Sequence, residues 1–430
     1  MHGVVARPGL RRALPRRVHQ GPFEHRRAAR VRVDDRLRRA VAAGKQVVVN
    51  FFHLVPQVHY GPGSATRAGA ALRDLGVRHV LVVTDQGVLD AGVIDPVLKS
   101  VKDAGIAFTV FSDLRTNPTE QHVAAAAYLY QSVGCDGILG VGGGSSLDVA
   151  KSAAVIIADG GRITSYEDGA RAVTGTPPPL VQVPTTAGTG SEVVAGAIIT
   201  DSSRMFKMHV VAVPAQVALC DPELTLTLPA GPTAASGIDA LAHAIGAYTS
   251  SERQPLADAM AVHAIALIRR WLPDAVARGD DLRARDQMMT GALAAGISMK
   301  GGGAADHAFA HAVNALFDVH HGVGVALFLA DAMEHNLPHM PDRFAVVARA
   351  LGVRSATDDA IALGRAGIEV VRSLVADCPI PTLPAIGVTE NDVPALVDKV
   401  QSDGFHLGLN PVPVTVDDTR RILHTALARS

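Results

Sequence analysis

The segment GILGVGGGSSLDVAKSAAVIIAD, residues 137–159, decides the fold of the first half of the chain. It starts as an apolar strand, passes through glycines at positions 142, 143 and 144, and continues at once as a helical pattern. Glycines let the backbone come close to an anionic group, and a helix N-terminus offers free N–H donors and a favourable dipole. The turn therefore indicates a pyrophosphate site. It matches neither the GxGxxG fingerprint nor the P-loop, so a glycine turn without a ligand stays the alternative.

Short β-branched runs alternate with helical patterns on both sides of this segment. HVLVVTD at 79–85, AFTVFSD at 107–113 and LVQVP at 180–184 are typical of strands, and the stretches between them are typical of helices. This order predicts an α/β domain, residues 46–228, whose parallel sheet is covered by helices on both faces. From about Pro229 onward, long Ala-rich amphipathic stretches leave little room for strands. Residues 229–430 are therefore predicted to form an all-α domain.

Composition bounds the class of protein. The 430 residues are 48% hydrophobic, enough for a sizeable core and more typical of two domains than of one. No apolar run reaches the length of a membrane span and the start lacks a secretory apolar core, so a cytoplasmic protein is expected. Cys135, Cys220 and Cys378 lie far apart without a CxxC pair, which favours buried apolar residues over disulfides or a thiolate metal site.

The start of the chain is strongly basic. The first 40 residues contain 12 arginines against three acidic residues, although the whole chain has a net charge of -1. We expect residues 1–45 to be a disordered or non-native extension, or a targeting segment. Most transit peptides are rich in serine, yet no serine precedes Ser64. A nucleic-acid-binding arm is the less favoured alternative.

Two further features of the α/β half point to a nucleotide. Asp85 ends a predicted strand, where a carboxylate could hold the ribose diol of adenosine and repel a 2'-phosphate, which favours NAD over NADP. An aspartate at this point could equally cap the next helix. VPTTAGTGSEVVAGAIITD, residues 183–201, sets small residues and hydroxyls in a strand-to-loop context that suits a flat ligand.

Histidines dominate the helical half. Asp239 and His243 stand four residues apart, so both side chains point from one face of a helix. His307 and His311 repeat this spacing, and His321 follows after a turn. A carboxylate together with imidazoles suits Fe(II), Zn(II) or another divalent ion, and composition does not choose between them. Each pair taken alone is also compatible with a helix that merely carries histidines.

Four motifs carry a resemblance in the order GGGSSLDVAK, PTTAGTGSE, GIDALAHAI and HHGVGVA. With them, the chain resembles the iron-containing (group III) alcohol dehydrogenase family over roughly residues 50–428. The resemblance implies an α/β N-terminal dinucleotide-binding domain like that of dehydroquinate synthase. It further implies an all-α C-terminal metal-binding domain and an active site in the cleft between the two.

The resemblance also implies roles for individual residues. His311 falls where the family keeps a histidine close to the substrate and the nicotinamide, whereas His320 is a neighbour without a ligand role and His263 a core or helix-face histidine. Val194 departs from the family, since many members have Thr after SEV. The implied metal ligands are Asp239, His243, His307 and His321. The implied cofactor contacts are Asp85, Asn117, Gly143, Gly144, Ser145, Thr185, Thr186, Thr189 and Lys207.

The resemblance thus implies a metal-dependent NAD(H) oxidoreductase that interconverts a small primary alcohol, a diol or a hydroxy acid and its aldehyde or ketone. A dehydroquinate synthase-like lyase that uses a metal and NAD is the alternative, although the histidines have few Lys and Arg near them to hold a phosphate and a carboxylate. We expect a small-molecule substrate, no membrane partner, and a homodimer or larger homo-oligomer.

Overall fold

The computed structural model describes residues 56–251, 254–299 and 304–429. These residues belong to one compact unit, Phe52–Ser430. The Arg-rich segment 1–45 lies outside the described residues, so its predicted disorder or non-native origin and its alternative as a nucleic-acid arm stay predictions.

A parallel six-stranded sheet forms the first half of this unit. Its strand order is β1-β8-β5-β4-β2-β3, and every neighbouring pair is parallel. From β1 through β5 each crossover between sequential strands of this sheet runs through one or more helices, as the alternating pattern predicts, whereas the connection from β5 to β8 contains no α-helix. The strands are β1 (Gln57–Tyr60), β2 (His79–Val83), β3 (Ala107–Phe111), β4 (Gly137–Gly142), β5 (Leu180–Pro184) and β8 (Val217–Cys220).

Helices cover both faces of this sheet. Because side chains alternate along a strand, Val80 and Val82 of β2 pack into one apolar cluster while Leu81 and Val83 pack into the cluster on the opposite face. A strand buried on both faces reads as a continuous apolar run, and β4 is buried at every position. The helices of this half are α1 (Ala68–Asp74), α2 (Gln86–Asp90), α3 (Asp95–Asp103), α4 (Glu120–Val133) and α5 (Gly144–Asp159).

A separate antiparallel hairpin departs from the sequence-based prediction, which gave only parallel units. Strands β6 (Gly196–Asp201) and β7 (Phe206–Val211) pair with each other and not with the main sheet. Only four residues join them, too few for a parallel crossover. The Asp201 carboxylate closes the turn by accepting hydrogen bonds from the Ser203 amide at 2.9 Å and from Arg204 Nε at 2.7 Å.

The second half is helical. In the described part of the chain no strand follows Cys220, which confirms the predicted fold class, a parallel α/β sheet followed by a helical region. The helix Ala230–Thr249 lies at the centre of this half, and 15 of its 20 residues are buried. The helices are α6 (Ala230–Thr249), α7 (Pro255–Ala277), α8 (Leu282–Ser298), α9 (Asp306–Phe317), α10 (His321–Asn336), α11 (Pro341–Ala350), α12 (Ala360–Ala376), α13 (Val393–Ser402), α14 (Gly404–Leu409) and α15 (Val416–Leu427).

The change from sheet to helices falls between the end of β8 and the start of α6. The predicted boundary at 228/229 lies in this connection, but both halves belong to one compact unit, so the division into domains stays a prediction. None of the helices in the described ranges combines the length and the apolar character needed to cross a bilayer. Cys135, Cys220 and Cys378 are buried, as predicted.

Candidate active site

A cavity of about 1000 Å³ lies between the carboxyl ends of the parallel strands and the helical half. It receives residues that follow β2, β4 and β5 on one side and residues of α6, α9 and α10 on the other. Its size is that of a pocket for a cofactor together with a small substrate. Every residue predicted to contact a metal or a cofactor lines it, and so does His311.

The four predicted metal ligands converge on one oxygen. Asp239 Oδ1 lies 3.8 Å from His243 Nε2, 3.7 Å from His307 Nε2 and 3.6 Å from His321 Nε2. Adjacent ligands of a tetrahedral ion with bonds of about 2.0–2.2 Å stand about 3.3–3.6 Å apart. The donor atoms of Asp239, His243 and His307 all lie within 4.8 Å of one another, so these three residues could hold one divalent cation, and His321 joins them through its distance to Asp239. The i, i+4 spacing on α6 produces the Asp239–His243 pair, as the sequence predicts.

The lack of hydrogen bonds to two of the donor atoms also indicates a cation site. Within the described residues, the buried atoms Asp239 Oδ1 and His307 Nε2 make no hydrogen bond. Buried polar atoms without a partner are costly, so such atoms indicate a group that satisfies them. The set contains three imidazole nitrogens, one carboxylate and no sulfur, which fits Fe(II) or Zn(II). The residues present therefore fit the metal that the resemblance implies.

Asn314 orients His321, and sequence reasoning missed it. Its amide nitrogen donates to the carbonyl oxygens of Val319 at 3.0 Å and His320 at 3.3 Å, which holds the turn between α9 and α10. Its oxygen lies 3.2 Å from His321 Nδ1. A hydrogen on Nδ1 leaves the Nε2 lone pair directed at the shared ion position, as metal-bound histidines usually require.

Asp306 lies directly beside the ligand His307. Its carboxylate is fully buried, and Oδ2 is 3.4 Å from His307 Nδ1. Burial lowers the pKa of His307, but the negative charges of Asp306, Asp239 and Asp403 together raise this pKa above its ordinary value. A second carboxylate behind a histidine increases its basicity as a ligand, so Asp306 supports the metal site electrostatically.

His311 belongs to a second buried cluster. Asp403 Oδ2 lies 3.0 Å from His311 Nδ1 and 3.0 Å from His406 Nδ1. Burial opposes the charge of Asp403, but the two imidazole rings hold the pKa of this carboxyl well below its usual range. Burial lowers the pKa of His311 to about 3 despite its hydrogen bond to Asp403. His311 is therefore a neutral, firmly oriented ring at the edge of the metal ligands.

The glycine turn has the predicted form. Gly142 has a φ of +150°, and a Cβ there would lie 2.5 Å from Ser146 Oγ. A side chain is thus excluded by conformation and by space. Gly143 is the N-cap of α5 and has no side chain to cap it, so the first amides of a 16-residue helix face the cavity uncapped. This arrangement suits a phosphate group.

Asp148 and Lys151 fasten this helix to the loop and hairpin that follow it. The Asp148 carboxylate accepts hydrogen bonds from Ser191 Oγ at 2.6 Å and from the Ile198 amide at 2.9 Å. The fully buried Lys151 donates to the carbonyl oxygens of Ser191, Val194 and Gly196 and pairs with Asp148 at 3.1 Å. The glycine-turn helix, the PTTAGTGSE loop and β6 are therefore one connected unit.

The structure shows the helix-cap alternative for Asp85, and its contact with an adenosine ribose stays a prediction. Its Oδ1 accepts a hydrogen bond from the Val88 amide at 3.0 Å, so it is the N-cap of α2, and its Oδ2 accepts one from Ser146 Oγ at 3.1 Å. It nevertheless lines the cavity. Asn117 also lines the cavity, although its amide nitrogen is engaged by Asp318 Oδ1 at 2.9 Å.

Lys207 brings a buried positive charge to the boundary between the glycine turn and the metal ligands. Its Nζ lies 3.5 Å from Asn314 Oδ1. Burial lowers the pKa of Lys207 to about 8, and the charge of Asp239 limits this decrease. His263 is exposed on α7, which agrees with a helix-face histidine. His320 is exposed as the N-cap of α10 and lines the cavity, and its lack of a ligand role stays a prediction.

Glu192 is a buried acid in the PTTAGTGSE loop, and burial raises its pKa to about 7. The folded protein therefore binds this proton more tightly than the unfolded chain, and the resulting stability is lost as pH rises through about 7. We expect wild-type protein to lose about 2–3 kcal/mol more unfolding free energy than Glu192→Gln between pH 5 and pH 9. Urea unfolding at a series of pH values measures this difference.

The exposed Glu223 provides the control for that comparison. Glu223→Gln should follow the wild-type pH profile, because an exposed carboxyl has the same surroundings in both states. Parallel profiles for wild type and Glu192→Gln would contradict the assignment.

Comparison with known proteins agrees with this architecture. Residues 56–222 match the family "Iron-containing alcohol dehydrogenase", and residues 233–427 match "Fe-containing alcohol dehydrogenase family, C-terminal". The chain is 37% identical to a choline dehydrogenase of Bacillus subtilis (strain 168), over 84% of this chain and 90% of the relative. It is 34% identical to an NAD-dependent methanol dehydrogenase of Bacillus methanolicus, over 88% of this chain and all of the relative.

A solved structure shows the same fold. The crystal structure of a 1,3-propanediol oxidoreductase superposes with a TM-score of 0.83 at 32% identity, and covers 88% of this chain and all of its own. Fold and matches together define an oxidoreductase built from a parallel α/β half and a helical half. The chain belongs to the iron-containing alcohol dehydrogenase family, which confirms the resemblance. All three relatives carry names of oxidoreductases, and the lyase alternative finds no support among them.

Proposed function

We propose that this chain interconverts a small primary alcohol, a diol or a hydroxy acid and its aldehyde or ketone, with NAD(H) as the redox cofactor. The observation that carries the proposal is the convergence of His243, His307 and His321 on Asp239 Oδ1 in the cavity that also contains the glycine turn. Membership of the iron-containing family favours Fe(II) over Zn(II) at these ligands.

A cation held by Asp239, His243, His307 and His321 would supply Lewis-acid polarisation of the substrate oxygen, and a bound nicotinamide would supply the hydride donor or acceptor. The chain's own residues provide position and proton transfer. The uncapped start of α5 binds the pyrophosphate, and Asp85 binds the adenosine ribose. The remaining cofactor contacts that we propose line the same cavity: Asn117, Gly143, Gly144, Ser145, Thr185, Thr186, Thr189 and Lys207.

His311 is the proposed catalytic residue for the proton. Because its Nδ1 hydrogen is engaged by Asp403, its buried Nε2 is the nitrogen left to accept the proton of a substrate hydroxyl. The lowered pKa of His311 means that the ring passes this proton on towards solvent and returns to its neutral form. The oligomeric state and a cytoplasmic location remain predictions from the sequence.

One experiment tests the proposal directly. Protein purified without oxygen is analysed for metals and then incubated with NAD⁺ and a panel of short alcohols, diols and hydroxy acids, while NADH absorbance is followed. Accumulation of NADH with at least one substrate supports a dehydrogenase. A lyase of the dehydroquinate synthase type recycles its cofactor, so the absence of NADH with every substrate would contradict the proposal.

Asp85→Asn tests the nucleotide half of the proposal. Asparagine still caps α2 but lacks the charge that repels a 2'-phosphate, so the fold should be unaffected. We expect the ratio of kcat/KM for NADP⁺ to that for NAD⁺ to rise about ten-fold or more. An unchanged ratio, with unfolding free energy equal to that of wild type, would mean that Asp85 acts only as a helix cap.

A further inference from the structure

A second, smaller cavity adjoins the proposed active site. It measures about 260 Å³ and is more polar, with Asp168, Arg204 and Lys399 in its lining. We call it the side cavity, and the larger one the main cavity. The two share four lining residues, namely Lys207, His209, Phe405 and His406. The shared residues are the partition between them.

Two stacked rings form the centre of this partition. His209 on β7 and Phe405 on α14 have ring centroids 4.0 Å apart and planes only 9° from parallel. Their backbones belong to different halves of the molecule, so the contact between the two rings is noncovalent. Removal of either ring would therefore open the partition without cutting a strand or a helix.

The partition lies at the substrate end of the main cavity. His406 stacks on the proposed ligand His307 with centroids 5.5 Å apart, and Phe405 meets His406 edge-on at 5.0 Å. A substrate held by its oxygen at the metal ligands and extended along this row of rings reaches Phe405 after His406. The stacked pair then blocks any further extension.

The backbone that carries Phe405 is firmly held. Asp403 caps α14 by accepting from the His406 amide at 3.1 Å, and the same carboxylate holds the rings of His311 and His406. Phe405 itself takes no part in these hydrogen bonds. Truncation of its ring should thus leave the neighbouring cluster in place.

We propose that the His209–Phe405 pair determines substrate length: it limits the enzyme to short substrates, and the side cavity behind it receives the far polar end of a longer one when the pair is opened. This inference rests on the proposed function. The chemistry of the side cavity favours a chain that ends in a second hydroxyl over a plain alkyl chain, because charged groups line the space.

The test compares 1,3-propanediol with 1,8-octanediol in wild type, Phe405→Ala and His209→Ala. Wild type should strongly prefer the short diol. In both variants we expect the ratio of kcat/KM for the long diol to that for the short diol to rise about ten-fold or more. Phe206→Ala is the matched control, since Phe206 lines only the side cavity and its removal leaves the partition closed. Metal content equal to that of wild type verifies that the variants keep the site.

Calorimetric titration of each protein with 1,8-octanediol separates this inference from the proposed function. If Phe405→Ala and His209→Ala bind 1,8-octanediol at least about ten-fold more tightly than wild type, the inference about the partition is supported. If no diol is oxidised at the same time, only the proposed function is contradicted. Unchanged selectivity and unchanged affinity in both variants would overturn the inference. A shift in Phe206→Ala equal to that in Phe405→Ala would overturn it as well, because the stacked pair would then have no special role.

Discussion

His307→Ala is expected to remove the bound divalent cation and to lower kcat by about a thousand-fold or more. Its Nε2 lies 3.7 Å from Asp239 Oδ1 and has no other partner among the described residues. Alanine deletes one of four proposed ligands, and loss of several kcal/mol of Lewis-acid assistance corresponds to a rate decrease of this size. The measurements are metal content by elemental analysis and steady-state turnover.

The same variant should bind NAD⁺ almost as well as wild type, because the glycine turn and Asp85 belong to the other side of the cavity. His263→Ala is the matched control, since His263 is exposed on α7 and makes no contribution to the cluster. It should keep both metal and turnover. If His307→Ala retains a full complement of metal and a normal rate, the ligand assignment is wrong.

Gly322→Ala is expected to lower the unfolding free energy by about 3 kcal/mol and to weaken metal binding by about ten-fold to a hundred-fold. A Cβ at this position would lie 2.2 Å from the carbonyl oxygen of Ala235 in α6. The obstacle is backbone, so α10 must move away from α6. His321 is the residue before Gly322, and the movement carries it away from Asp239. Urea unfolding and metal titration measure the two effects.

Gly231→Ala serves as the control for this prediction. Gly231 belongs to α6, the helix that Gly322 faces, but a Cβ added to Gly231 meets nothing within 4 Å. Alanine in a helix is slightly more stable than glycine, so this variant should match or exceed wild type by up to about 1 kcal/mol. Equal stability for both variants would show that the helices tolerate the larger separation.

Local patterns predicted most of the fold. Continuous apolar runs gave the parallel strands, and the i, i+4 spacing gave Asp239 with His243, because both follow from the geometry of a single element. The hairpin β6–β7 was missed because its residues look like further strands of the same sheet. Strand pairing depends on contacts between distant parts of the chain, so it cannot be inferred from the residues of one strand alone.

The part of the site that sequence reasoning missed depends on distant contacts. Asp403 meets His311 across 92 residues of chain, and no spacing rule connects them. Asn314 lies within the helix that was singled out for its histidines, yet its role depends on the turn at Val319 and His320. The sequence suggests that position 142 needs glycine so that a ligand can come close to the backbone. The structure adds a second reason, because a Cβ at position 142 would collide with the side chain of Ser146.

The ties made by Lys151 and Asp148 have a consequence for coenzyme binding. They join α5, the PTTAGTGSE loop and β6 into one preorganised surface of the main cavity, so little conformational entropy should be lost when a coenzyme binds. We therefore expect the affinity for the coenzyme to be about the same with and without a bound metal.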